Sequence, residues 1–249
     1  MSLQFSDTTD KAGLIQECES TLFGDNSYGK ISGNTGLLAT FTRKLNEGLN
    51  RVASLIMQAD GRWQFDDTNH TDYPIAVTTM DTTIGAEQQD YPLAVTHLKI
   101  TRVEVKDAAG NWQLLQPIDQ ADLYNQSLTD FLKTAGMPRY YDKVANSVFL
   151  YPKPLSTAVT ATSGLKVYFQ RPPSYFVSSD TTKVPGFNSL YHQLVALLAC
   201  RDYALDRTLA SAKGLAERVT LAEQDLQDNY ALRNKDEKIG LRTRIISYK

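Results

Sequence analysis

Histidine and cysteine are scarce in this chain, with three of the first and two of the second among 249 residues. Zinc centres and thiol nucleophiles draw on these residue types, and both need them at particular spacings. Here His70, His97 and His192 fall in three different predicted elements. There is no His-x-x-x-His or Cys-x-x-Cys spacing, which argues against a zinc site. Cys18 and Cys200 each lie inside a helical pattern and read as small core residues in a reducing compartment. No Gly-x-Ser-x-Gly nucleophile turn occurs. Long apolar runs are also missing. The longest, Leu194 to Cys200, is far short of the ~20 residues that span a bilayer. The first ten residues lack the cationic start and apolar core of a secretory leader, so the expectation is a protein made and kept in the cytoplasm, or in something assembled there, with no membrane partner. A surplus of either charge is absent too. The formal net charge is −2, which gives no indication of a general nucleic-acid-binding surface.

What is present is a globular composition, 42% apolar, in a chain long enough to bury roughly three quarters of its unfolded surface without disulfides or metals. The predicted order is helix, helix, a strand-rich middle, a long helix and a tail. A first helix is expected near Thr9–Phe23, where Leu14, Cys18 and Leu22 share a face. Ser6, Asp7 or Thr9 would cap it and Gly24 would end it. A second is expected from Thr35 to Asp60, with Leu38, Phe41, Leu45, Leu49, Val52 and Ile56 as its apolar stripe and Gly61 as its stop.

From about Tyr73 to Asp180 the helical period fades and β-branched and aromatic residues rise. Leu98–Lys106 and Trp112–Pro117 form a predicted hairpin around Asp107–Asn111, with a bulge near Thr101–Arg102. A second hairpin joins Arg139–Lys143 to Ser147–Tyr151 around Asn146. Leu165–Gln170 is one more strand. Asp119–Thr134 reads as a short helix over the sheet. The last helix is expected to run unbroken from Phe187 to Lys235. Its first turns (Leu190, Leu194, Val195, Leu197, Leu198) are apolar all round. A narrow seam comes after them, in which Leu205, Ala212, Val219 and Leu226 recur every seven residues and Leu209, Ala216 and Tyr230 run alongside, with Glu223 interrupting them. Gly214 is where a bend is expected.

The fold class is therefore α+β: a bundle of long helices, two N-terminal and one C-terminal, with an inserted small antiparallel β domain and an extended C-terminal tail. The helical domain takes residues 1–72 and 181–238, the β domain 73–180 and the arm 239–249.

Three motifs invite chemistry. Gly24 to Lys30 has the Gly-x4-Gly-Lys spacing of a phosphate loop. The magnesium-binding Ser or Thr is replaced by Ile31, and a helix rather than a strand precedes it, so a connector between helices is the better reading. Asp66–Asp72 is acidic without the calcium-loop spacing or its closing Glu, and reads as a solvated loop. The aromatics Trp63, Phe65, Trp112, Tyr140, Tyr141, Phe149, Tyr151, Tyr168 and Phe169 are not interleaved with dense Lys and Arg along the chain, so packing is favoured over base stacking. No catalytic residue, cofactor or metal is expected.

The order of phrases goes further. Arg62-Trp63-Gln64-Phe65-Asp66-Asp67 is followed by Tyr91-Pro92-Leu93, then by Ile100 to Val105 with its glycine turn, and by Leu114 to Asp119. Gly136-Met137-Pro138-Arg139-Tyr140-Tyr141, Leu150-Tyr151-Pro152-Lys153-Pro154 and Val167 to Pro173 come next. Val184-Pro185-Gly186-Phe187 then opens the final helix. Over about residues 9 to 235 this succession resembles tailed-bacteriophage head-to-tail adaptors, the head completion, connector or tail tubular A-like proteins.

The resemblance implies a structural virion protein, not an enzyme. It implies a ring, dodecameric in such proteins, between portal and tail, with viral dsDNA passing through its lumen without sequence specificity. Its partners would be the portal protein, neighbouring copies and a downstream tail or nozzle protein. Assembly would take place in the host cytoplasm. The residues carried over as portal contacts are Arg242, Arg244, Ile245, Ile246 and Tyr248. Two other readings stay open: another virion part (tail tube, baseplate or capsid-associated), and a soluble enzyme whose site assembles only in space.

Overall fold

A computed structural model describes residues 2–24, 28–60, 75–78, 89–92, 99–119, 135–144, 147–160, 164–170 and 172–233. The fold is α+β, with four α-helices and several small sheets among those residues. Two compact units divide it, one helical and one of strands.

In the helical unit, α1 spans Leu14–Phe23, starting later than the pattern predicted. Asp7 accepts hydrogen bonds from the backbone N–H groups of Thr9 and Asp10, at 2.9 and 3.0 Å. That local turn competes with helix, as Asp side chains do near chain reversals. Lys11 then adopts φ 59°, and helical backbone begins only after Gly13. Gly24, at φ 87°, closes the helix as predicted. Helix α2, Thr35–Ala59, is capped by the Asn34 side chain, which accepts from Leu37 N–H. Phe41, Leu45, Leu49, Val52 and Ile56 are wholly buried, whereas Leu38 is only half-buried. Gly61 lies outside the described residues.

The predicted unbroken C-terminal helix is in fact two. A 3₁₀ turn at Ser189–Tyr191 leads into α3, His192–Asp206. The chain then breaks, and α4 runs Ala212–Arg233. The break centres on Thr208, at φ 51°. Leu209 N–H returns to Ala204 O at 2.9 Å to close the end of α3. Asp206, Thr208 and Ser211 are weak helix formers in sequence, and the Asp206 carboxylate is anchored sideways by Lys44 at 2.5 Å. Gly214, the expected bend, lies within α4 instead. The sevenfold seam therefore does not cross the break: Leu205 is 56% exposed. The buried stripe of α4 is Leu215, Val219, Leu226 and Tyr230. Leu190, expected in the core, is 74% exposed, while Leu194 to Cys200 are all buried. Gly48 lets α2 approach α3 closely. A Cβ there would sit 3.2 Å from both Leu198 Cβ and Val195 O.

The strand unit contains β1 (Ile75–Thr78), β2 (Asp90–Pro92), β3 (Lys99–Lys106), β4 (Trp112–Leu114), β5 (Gln116–Pro117), β6 (Ala135–Gly136), β7 (Tyr140–Val144), β8 (Ser147–Tyr151), β9 (Lys153–Pro154) and β10 (Leu165–Gln170). One sheet has the order β1-β10-β3-β4 and another β2-β8-β7-β5, with β6-β9 as a separate pair. The first hairpin forms as predicted, with Gly110 at φ 90° and the Asp107 carboxylate accepting from Asn111 N–H at 2.8 Å. So does the bulge: Tyr168 pairs with Arg102 but Phe169 with Ile100, leaving Thr101 unopposed.

The unit is not purely antiparallel. After Leu115 the chain leaves β3, and β5 joins β7 in parallel in the second sheet; β6 and β9 are parallel as well. Val103, Val105, Leu165 and Val167 from one sheet and Tyr91, Val148 and Leu150 from the other form the buried core between them. The turn at Asn146 and residues 120–134 of the predicted short helix lie outside the described residues.

Candidate functional site

The described part of the glycine-lysine stretch resolves into packing. Residues 25–27 of the glycine-lysine stretch lie outside the described residues, but the two residues after Lys30 are already engaged. Glu19, fully buried, accepts from Ile31 N–H at 2.8 Å, Ser32 N–H at 2.7 Å and Ser32 Oγ at 3.0 Å. The amides that a phosphate loop would turn toward an anion thus hold a carboxylate. A second anion there would meet repulsion. Ile31, in the metal-ligand position, is wholly buried.

The other reactive types are similarly occupied. His192 Nδ1 accepts from Leu3 N–H at 3.1 Å, which places the ring proton on Nε2, 3.0 Å from Phe187 O. It ties the N-terminal segment to the entrance of α3. Cys18 and Cys200 are both buried and reduced, and their helices bring them into contact, with Cys200 Sγ 4.0 Å from Cys18 O. A hydrogen bond with Cys200, together with burial, holds the Cys18 thiol well above its usual range, opposite to what a nucleophile needs. His70, His97 and the acidic run 66–72 lie outside the described residues. Among the described residues no group of His, Cys, Asp and Glu could hold a metal ion, and no helix is long and apolar enough to cross a membrane.

What remains distinctive is surface on the helical unit. Beside α2 an extended segment is held by a reciprocal clamp: Phe176 N–H donates to Asn46 Oδ1 at 2.8 Å, and Asn46 Nδ2 donates to Phe176 O at 2.9 Å. Tyr175 OH donates to Asn50 Oδ1 at 2.8 Å. Phe5 packs on the Phe176 ring at 5.1 Å. The clamp leaves an open groove of about 570 Å³ along α2, with Arg43 and Glu47 on one wall and Tyr175 and Val177 on the other. Elsewhere on α2, Arg51 forms two parallel hydrogen bonds to Glu223 of α4, both 2.9 Å. That partner holds the Glu223 carboxyl below its usual range, as Lys44 does for Asp206. Glu223, which interrupted the sequence seam, is thus the residue joining α4 to α2.

Among the described residues this arrangement offers contact surfaces. The sequence model of the SU10 adaptor protein family matches residues 14–238. The chain belongs to that family. No curated protein matches it. Membership makes it a structural adaptor of a bacteriophage virion, interacting with other head and tail proteins. It also points to a structural rather than an enzymatic role.

For this SU10-family adaptor, the predicted contact residues Arg242, Arg244, Ile245, Ile246 and Tyr248 lie outside the described residues. The groove beside α2 escaped the sequence reading. Its only signal was the i, i+4 spacing of Thr42, Asn46 and Asn50, which puts a polar row next to the apolar stripe. Sequence reading also missed an alternation across strands. Trp112 pairs with Lys106 in the β3–β4 ladder, and Lys166 Nζ lies 3.9 Å from the centre of its ring. Cations and aromatics separated along the chain meet on the sheet, because cross-strand neighbours come from distant segments. Trp63 and Phe65 lie outside the described residues.

Proposed function

We propose that this SU10-family adaptor works as a ring, twelve copies in number, between the portal and the tail. Viral dsDNA passes through its lumen without sequence-specific contact, and the next tail or nozzle protein binds below. The observation that carries this reading is the extent of the family match, which takes in nearly the whole chain from α1 past the end of α4. Residues 239–249 serve as an arm that docks on the portal through Arg242, Arg244, Ile245, Ile246 and Tyr248. The alternation of cations with apolar residues in that segment suits addition to a partner's sheet edge. The free chain stays monomeric or weakly associated, and the portal's symmetry raises the effective concentration at which copies meet.

The test is to mix the full chain with portal protein and image the complex. The expected result is a twelvefold ring of this chain on one end of the portal. A tight dimer indifferent to portal, or a complex without rotational symmetry, overturns the reading.

A further inference from the structure

A ring closed by one kind of contact is heterologous: each copy needs two different surfaces, on different sides, that fit one another. We infer that the groove beside α2 receives the outer face of α4 from the neighbouring copy. This inference rests on the ring reading and names the two surfaces that close it.

The geometry is set by helical periodicity within the helical unit. On α2, Lys44 and Arg51 lie along one line and reach the end of α3 and the middle of α4 through Asp206 and Glu223. Thr42, Asn46 and Asn50 lie along another and border the groove. At about 100° per residue the two lines are roughly 150° apart around the helix axis. Groove and α4 therefore flank α2 on opposite sides. On α4, the buried stripe through Leu215, Val219, Leu226 and Tyr230 faces inward. Leu221 and Leu232, three turns apart, lie roughly 150° away from it. Their side of α4 faces away from the unit's own core. One unit thus carries an apolar strip on one flank and a groove on the other, the disposition a head-to-tail contact requires.

The chemistry of the two surfaces matches. Leu221 and Leu232 are 64% and 54% exposed, and Tyr175 and Val177 in the groove wall are 46% and 55% exposed. Single exposed apolar residues are ordinary, Leu190 and Leu205 among them, but these come as two pairs on opposite flanks. The charges match as well. The groove carries exposed Arg43 and, one turn on, Glu47. The outer side of α4 carries Glu217 and Arg218, which offset one another, then Asp225 and Asp228, all exposed. With α4 of the neighbour antiparallel to α2, the end of α4 that carries Asp225 and Asp228 lies toward Arg43 and away from Glu47. The parallel alignment sets the two aspartates against Glu47, so the charges also select a direction. Gly214 continues the outer strip toward the start of α4, and a Cβ there would meet nothing within 4 Å.

The experiment uses the full chain, assembled on portal, with new cysteines at Val177 and Leu221. The native Cys18 and Cys200 are buried and leave the new thiols as the reactive pair. Mild oxidation of a mixture of V177C and L221C chains is expected to give a disulfide-linked dimer, and the double variant a ladder of higher multiples. Self-crosslinking of L221C alone would mean that α4 pairs isologously and would overturn the inference. A parallel pair, L221D and V177D, should melt like the unmodified chain because both sites are exposed, yet each should lose rings. If unmodified chain forms rings but no Val177–Leu221 crosslink, this inference fails and the ring reading stands. If unmodified chain forms no ring on portal, both fall.

Discussion

Arg51 and Glu223 stand 172 residues apart in sequence and meet through two parallel hydrogen bonds of 2.9 Å. The Glu223 side chain is largely covered and that of Arg51 is half exposed. A bidentate pair of this kind fixes the rotation of α4 about its axis as well as its distance from α2. That rotation decides which α4 residues face the core.

Breaking the pair should therefore cost stability modestly. In a double-mutant cycle with Arg51→Met and Glu223→Gln, the coupling is expected to be about 1 kcal/mol, limited by the exposure of the arginine. Its pH dependence has a defined sign. The Glu223 carboxyl is held below its usual range by Arg51. The contribution is complete above the unfolded-state value of about 4.3 and is lost as pH falls through the depressed folded value. Urea midpoints of wild type and Glu223→Gln should differ at pH 7 and converge in acid. A difference that grows in acid refutes the assignment.

The break between α3 and α4 divides the predicted seam into positions that matter and positions that do not. Leu226→Asp or Val219→Asp places a carboxylate in the core and should cost several kcal/mol. Leu205→Asp, at an exposed position of the same heptad line, should stay within about 0.5 kcal/mol of wild type. Denaturant unfolding of the three variants checks this. An equal loss at Leu205 would mean one continuous helix.

Thr208 tests the break itself. A β-branched residue at φ 51° is strained by about 1 kcal/mol or more, and glycine is not. Thr208→Gly is expected to leave the melting temperature unchanged or raise it by a few degrees. In an unbroken helix the same change would cost about 0.3 kcal/mol, so the sign of the shift separates the two structures.

The C-terminal arm is expected to contribute to assembly and not to the fold. Deleting residues 239–249 should barely move the melting temperature and should strongly weaken portal binding. Calorimetry and a pull-down with portal protein measure the two effects. A collapse in melting would place the segment in this chain's own core, and undiminished binding would remove it from the portal contact.

Much of the architecture was local and therefore legible. The stripe from Phe41 to Ile56, the Asp107–Asn111 turn and the slip at Thr101 all depend on residues within a few positions of one another. Capping, periodicity and turn chemistry act over that range. The order of phrases carried the adaptor resemblance for the same reason: it is a property of the chain alone. What the tertiary structure decided depends on partners far away in sequence. Glu19 closes on Ile31 and Ser32, just after the stretch that has phosphate-loop spacing. Lys44 takes Asp206 where a helix had seemed to run on. Asn46 holds Phe176 and shapes a groove, and Glu223 reaches Arg51 where it had looked like a flaw in a seam. In each case one hydrogen-bonding side chain, unpredictable from its neighbours, satisfies backbone or charge across the fold. The requirement that buried polar groups be paired outweighs the local pattern.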